Sequence, residues 1–327
     1  MIQNTNTVKK ILVIGDLMLD HYIYGSCSRI SPEAPVQVVD VKTDEYTLGG
    51  AGNVLKNLKA FGCDTYIITA VGNDEQAKIV DSELKKIGVS TAGLFYDDKR
   101  CTIVKSRVMV ANHQLIRLDY ENKQYIENEL ADLMIAVLQE EVNNFDLVLV
   151  SDYAKGLLSD YFLKSIFSIC GQAGVITIID PKGTDYQKYF GGNIIKPNKK
   201  EAMQASGVSI TNEESLTQAC RKLKGITGCD NIIVTMSEEG IAMYSNNKLS
   251  VIPTKALSVI DVTGAGDTVL ASLGLAIALG KSLEEACDFA NHAAAVVVSK
   301  VGSATATLAE IANHSINHTD YLNTDNE

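Results

Sequence analysis

KILVIGD, residues 10–16, places four consecutive aliphatic side chains before a glycine and an aspartate. A strand with one wet face alternates apolar and polar residues, so an unbroken apolar run this short reads as a strand covered on both faces. The pattern returns in TYIITAVG (65–72), DLVLVSD (146–152), VITIIDP (175–181), NIIKPN (193–198) and NIIVTMS (231–237). Helical patterns such as GNVLKNLKAFG (52–62) and ENELADLMIAVLQEEV (127–142) alternate with them. The alternation predicts an α/β fold: a doubly wound, mostly parallel sheet with helices on both faces. Ligands of such sheets bind beyond the carboxyl ends of the strands, so Asp16, Asp152, Asp180, Asn198 and Ser237 are expected to converge on one crevice.

Two stretches break this rhythm. APVQVVDVKTDEYTLGG (34–50) and CTIVKSRVMVANHQLIRLD (101–119) alternate apolar and polar residues, as strands with one wet face do. They predict a small separate β-sheet, a lid built from strands at about 21–47 and 95–118. Asn112 and His113 sit at its expected hairpin turn, since Asn tolerates positive φ. One domain over 1–315 is expected. The polar, unpatterned stretch from residue 313 reads as a frayed tail, with 316–327 as its flexible end.

The chain of 327 residues is 46% hydrophobic and 21% charged, ordinary globular usage. Its 40 acidic and 29 basic residues give a net charge of -11, so neither a nucleic-acid footprint nor an anionic-membrane patch is expected, and any anion site must be local. The seven cysteines are odd in number and form no C-x-x-C pair, which reads as small buried apolar residues in a reducing cytosol. The most apolar stretch, Val269 to Leu279, is shorter than the ~20 residues that span a bilayer. A cytoplasmic protein is expected.

DVTGAGDTV (261–269) precedes LASLGLAIALG (270–280), whose Ala and Leu content is helical. The glycines therefore fall at a helix start, where free amides and the helix dipole favour an anion and bare backbone lets it approach. Asp267, in the first turn, is placed to take a proton from a hydroxyl while the amides hold a phosphoryl group. Spacing alone fits equally well a reading in which Asp261 or Asp267 caps the helix and Gly264 and Gly266 turn the chain. LGKS (279–282) imitates the end of a P-loop, but Leu275 stands where a Walker motif needs glycine. Gly280 reads better as a helix C-terminal glycine, and Ser282 with Glu285 as a capping box. ILVIGDLML lacks the glycine turn of dinucleotide binders.

DVTGAGDT, LGGAGN (48–53), GDLMLD (15–20) and KPNKKE (196–201) together resemble the ribokinase-like (PfkB) carbohydrate kinase family over essentially the whole chain. SRISPEAPV (28–36), SDYAKG (151–156), DPKGTDYQKY (180–189) and FANHAAAVVV (289–298) resemble the heptose-7-phosphate kinases of bacterial lipopolysaccharide-precursor synthesis, in their kinase-only form. The resemblance implies ATP-dependent phosphorylation of the anomeric C1 hydroxyl of D-glycero-β-D-manno-heptose 7-phosphate to the 1,7-bisphosphate. A kinase of another sugar or nucleoside, or a silent nucleotide or sugar-phosphate binder, is the alternative.

What the resemblance implies falls on numbered residues. Asp267 is the base, and Gly264, Ala265 and Gly266 form the anion hole. Asn198 and Glu201 orient Mg2+, Glu201 through water, whereas PNKKE by itself reads as a helix start. Ser237, Gly240 and Asn291 lie along ATP. Asp20, Gly49, Gly50, Asn53 and Asp152 hold the sugar, and Arg29, Arg107, Lys155 and Lys182 are the cations for its phosphate. The cofactors implied are ATP and Mg2+, with room for a monovalent cation, and the partner implied is a second copy paired through the lid. The chain departs from close relatives at His21, Ala111 and His113, where they carry arginine, arginine and glutamine, so a phosphate contact from the lid hairpin is not expected.

Overall fold

The computed structural model describes residues 8–111, 113–256 and 258–324. In chain order the strands are β1 (Lys10–Gly15), β2 (Leu17–Ile30), β3 (Gln37–Gly50), β4 (Asp64–Gly72), β5 (Leu94–Asp97), β6 (Val104–Val110), β7 (His113–Tyr120), β8 (Leu147–Ser151), β9 (Thr177–Asp180), β10 (Ile194–Ile195), β11 (Asn231–Thr235), β12 (Ile241–Ser245) and β13 (Lys248–Ile252). The helices are α1 (Ala51–Ala60), α2 (Glu75–Lys86), α3 (Asn128–Glu141), α4 (Asp160–Ala173), α5 (Lys199–Ser206), α6 (Glu213–Thr227), α7 (Ala265–Ala278), α8 (Leu283–Val298) and α9 (Leu308–Thr324).

Nine strands form one sheet in the order β13-β12-β11-β10-β9-β8-β1-β4-β5. Pairing is parallel from β11 to β5, and β12 and β13 add an antiparallel edge. The unbroken apolar runs are explained by what covers them. Ile11 and Val13 of β1 enter one core with Leu147, Leu149 and side chains of α1, α2, α7 and α8, while Leu12 and Ile14 enter a second with Val148, Val150 and side chains of α3, α4 and α6. Alternation along a strand thus feeds both layers, and neither face is wet. Helix α7 is buried continuously from Asp267 to Ala276, as a helix apolar all round must be.

The chain leaves β1 toward β4 on one side and returns as β8 on the other, so the strand order switches between β1 and β8. Gly15 and Ser151 are partners at that point, and Asp16 and Asp152 follow them directly. This is where an open α/β sheet makes its crevice.

The lid is a separate four-stranded sheet in the order β3-β2-β6-β7. Its strands begin and end differently from the sequence expectation: β5, at 94–97, pairs with β4 at the edge of the large sheet instead of joining the lid. The alternating pattern is too short there to distinguish an edge strand from a lid strand. The β6–β7 hairpin is present, with Val110 opposite His113 and Ala111 at φ 47°, while Asn112 lies outside the described residues. The stretch from residue 313 differs from the expected tail, because helix α9 continues to Thr324. Its anchor is Ile311, buried in the core that α8 lines. Five cysteines are buried as expected, burial pushing the thiols of Cys63, Cys170, Cys220 and Cys287 up to about 12 and Cys229 to about 11, but Cys101 is exposed.

Candidate active site

The glycine-rich turn opens a helix, as its sequence announces. Gly264 is the N-cap of α7 at φ 80°, a left-handed conformation that side chains disfavour. A Cβ on Gly264 would also stand 2.7 Å from Nδ2 of Asn53, so an alanine there meets both strain and a clash. The Ala265 amide turns back to the carbonyl of Val262 (3.2 Å), whereas the amides of Gly266 and Asp267, in the first helical turn, have no intrahelical acceptor. The bare edge therefore belongs to Gly266 and Asp267 more than to Ala265.

Asp267 is 5% exposed and lines a cavity of about 180 Å³ with Asp152, Tyr153, Asp180, Lys182, Lys196, Asn198, Glu201, Gly264 and Gly266. Its Oδ2 accepts from Asn53 Nδ2 (2.8 Å) and its Oδ1 from the Tyr153 hydroxyl (2.6 Å). Burial raises its carboxyl above the usual range, and the two hydrogen bonds and the charges of Lys196 and Lys56 act against that rise. Among the described residues no ion pair claims it.

The other carboxylates of the crevice are each tied. Asp152 accepts from Lys188 Nζ (2.6 Å) and the Tyr189 hydroxyl (2.7 Å). Asp180 pairs with Lys196 at 3.0 Å. Glu201 and Asn198 form a complete capping box at the start of α5, and the second Glu201 oxygen accepts from Lys182 Nζ (2.6 Å). PNKKE is thus a helix start, whatever else it does. Asp20 on the lid is ion-paired with Arg107 (2.6 Å), and a Cβ on Gly49 would lie 2.3 Å from Asp20 Oδ2. Gly50, at φ 58°, caps α1 and lets the chain pass the Asp16 carbonyl.

The sequence-derived site residues separate into groups. Asp152, Lys182, Asn198, Glu201, Gly264, Gly266 and Asp267 share the cavity, and Asn53 touches it through Asp267. Asp20 and Arg107 form the lid side, within electrostatic reach of Tyr22. Gly240 and Asn291 meet elsewhere: the Asn291 amide donates to the carbonyl of Pro253 (2.6 Å), and Gly240 packs against Ile252 and Pro253. Ser237 begins the short turn after β11 at φ 53°. Lys155 is paired with Glu121 and Arg29 is exposed at the far end of β2, so three of the four expected phosphate cations are already compensated by carboxylates and the fourth is remote.

Four residues of the site were not singled out by motif. Tyr153 and Lys188 lie inside SDYAKG and DPKGTDYQKY, and nothing in their spacing marks them. Lys196 is 2% exposed, and a Cβ on Gly266 would sit 4.0 Å from its Nζ. Lys105, on β6, has its Nζ 5.9 Å from the Tyr153 ring centre and is not ion-paired among the described residues; burial lowers its ammonium, as does the charge of Lys155.

Asp16 holds the loop after β8. Its two oxygens accept from the amides of Tyr153 (2.9 Å), Lys155 (3.1 Å) and Leu157 (3.3 Å). Burial, and next the charge of Asp152, raise its carboxyl to about 6 despite those amides, and burial raises Asp180 to about 6 against the pull of Lys196. An acid whose folded pKa exceeds its unfolded value of about 3.9 binds its proton more tightly when folded. These two groups therefore favour the fold below about pH 4 and penalise it progressively as pH rises through 6. The unfolding free energy is expected to carry a component that falls between about pH 4 and pH 6, and Asp16→Asn should flatten it, as read by denaturant titrations across that window.

The strand ends of a doubly wound sheet thus set a carboxylate against bare amides, with a separate strand lid beside them. The chain belongs to the pfkB family of carbohydrate kinases, whose family model matches residues 8–310. It is 47% identical over 302 residues to the bifunctional protein HldE of Helicobacter hepaticus, covering 92% of this chain and 63% of that protein. With the bifunctional protein HldE of Trichlorobacter lovleyi it shares 44% over 322 residues, 98% of this chain and 65% of the relative. The chain thus spans slightly less than two thirds of the curated relatives it matches. The fold matches that of Arabidopsis thaliana ribokinase complexed with ribose and ATP at TM-score 0.73 and 21% identity, covering 94% of this chain and 99% of the other. It matches Escherichia coli phosphofructokinase-2 in complex with potassium at TM-score 0.76 and 16% identity, covering 96% and 100%. No described helix is long and apolar enough to cross a membrane.

Proposed function

We propose that the protein transfers the γ-phosphoryl group of ATP to the anomeric C1 hydroxyl of D-glycero-β-D-manno-heptose 7-phosphate, giving the 1,7-bisphosphate. The observation that carries the reading is Asp267, buried, without an ion pair among the described residues and facing the cavity from the first turn of α7. The heptose assignment is supported by the motif set at 28–36, 151–156, 180–189 and 289–298 and by the likeness to the HldE proteins.

Asp267 takes the hydroxyl proton, and burial strengthens it as a base by raising its pKa toward the working pH. The amides of Gly266 and Asp267 and the nearby ammonium of Lys196 stand where negative charge develops on the transferred group. Magnesium nucleotide supplies the transferable phosphoryl group and the charge that neutralises it. The residues present fit such a ligand. Of the four carboxylates that line the cavity, Asp152, Asp180 and Glu201 are paired with Lys188, Lys196 and Lys182 and Asp267, among the described residues, is not, so the site keeps a net negative charge that a polyphosphate meets best with a divalent cation. Among the described residues no cluster of three or more side chains forms a protein cage for a metal, and magnesium characteristically keeps waters and leans on one or two carboxylates and phosphates. Glu201 and Asn198 are the residues that would orient it.

Lys105 is the cation we assign to the sugar's own phosphate, since Arg107, Lys155 and Lys182 are compensated. Coupled ADP-release kinetics against phosphorylated and free sugars test both points. Heptose 7-phosphate is expected to exceed sugars lacking the phosphate by about 10⁴-fold in kcat/KM. Lys105→Met should raise KM for the phosphorylated sugar about tenfold or more and leave the unphosphorylated one unchanged. A better substrate of another class overturns the heptose assignment. The lid leaves Ile116, Leu118 and Tyr120 exposed, which supports pairing of two copies there. A dimer mass by light scattering is the expected result, and a monomer contradicts it.

A further inference from the structure

The base of this site does not face its cavity bare. Both oxygens of Asp267 are engaged, Oδ2 by an amide from α1 and Oδ1 by the phenol of Tyr153 at 2.6 Å. A carboxylate has about four lone-pair directions, but Asp267 is only 5% exposed, and the phenol reaches it from the loop that lines the same cavity. The phenol therefore holds the position a substrate hydroxyl needs. We propose that Tyr153 is a surrogate for the acceptor: its hydroxyl occupies the Asp267 Oδ1 hydrogen bond before the sugar binds, and sugar entry exchanges one hydroxyl for another at the base.

The surroundings suit an exchange of side chain without movement of backbone. Asp16 pins the tyrosine's own amide and those of Lys155 and Leu157 after it, so the loop is held while the phenol turns about its own χ angles. Burial and the charges of Asp267, Asp180 and Asp20 keep the phenol protonated, and so a donor. Lys105, on the lid strand β6, stands over the same ring, so closure of the lid on a sugar and release of the ring involve the same contact. The charged groups facing Asp267 from other elements, Lys56 on α1, Asp180 at the end of β9 and Lys196 after β10, are unchanged by the exchange.

The inference rests on Asp267 being the base and makes a claim a structural tyrosine would not. If the phenol is displaced, Tyr153→Phe removes a hydrogen bond from the free enzyme only. The acid limb of kcat/KM, which reports the free enzyme, should then move to higher pH, with kcat/KM below the limb about tenfold lower relative to its plateau. The acid limb of the single-turnover rate at saturating sugar, which reports the complex, should stay where it is. The sugar phosphate's own ionisation enters both enzymes equally, so the difference between them is what is read. Two shifted limbs mean that the phenol stays bound during reaction, and two unmoved limbs mean that it only packs; either overturns the exchange. Asp267→Asn in parallel separates the two layers: an active Asp267→Asn enzyme removes the base itself, whereas an inactive one beside a failed limb pattern removes the exchange alone.

Discussion

Asp267→Asn is expected to lower kcat by about 10² to 10⁴ while leaving the fold intact. The substitution is isosteric, and the buried side chain keeps its oxygen for the Tyr153 hydroxyl, but it loses the ability to take a proton. It also sets an amide group where Asn53 Nδ2 donates at 2.8 Å, so one of the two contacts weakens and a small loss of thermal stability accompanies the kinetic one. Single-turnover phosphoryl transfer with heptose 7-phosphate measures the first effect and thermal unfolding the second. A variant within a factor of three of wild type would remove the base from the mechanism, and with it the present reading of the glycine-rich turn.

The second large effect is on stability. Lys196 and Asp180 form an ion pair at 3.0 Å in which the lysine is 2% exposed. Removing the lysine leaves the partly exposed Asp180 carboxylate without its partner, at a cost of about 1–3 kcal/mol, so Lys196→Met should lower the unfolding free energy by that order. Replacing both partners, Lys196→Met with Asp180→Leu, is expected to recover most of the loss, because an apolar pair of similar volume does not carry the desolvation penalty. Activity should not return with it. The ammonium lies beside the first turn of α7, where the proposed transfer develops negative charge, and an apolar pair cannot meet that charge. Recovered activity in the double variant would show that Lys196 serves the fold alone.

The site was legible in unequal parts. DVTGAGDTV announces both its helix start and its carboxylate, and LGKS is a helix end and a cap: Gly280 follows α7 at φ 76° and Ser282 with Glu285 forms the next capping box. PNKKE reads as a helix start by itself and is one, and the structure adds that the same glutamate carries Lys182. Of the four cations that the motifs offer for a phosphate, three are compensated in the structure, because a motif names a charge without naming its neighbour. Lys105 and Tyr153 carry no spacing that marks them. They acquire their places only when the lid is folded over the loop after β8.

Local sequence determined the strands, their burial on both faces and the glycine turn at α7, since periodicity and backbone freedom are properties of neighbours along the chain. It did not determine that β5 joins the large sheet, that α9 is anchored through Ile311, or that Asn53 and Tyr153, 214 and 114 residues away from Asp267, meet on its two oxygens. Those follow from which surfaces bury one another and from hydrogen bonds that a buried carboxylate must find wherever the fold supplies a donor.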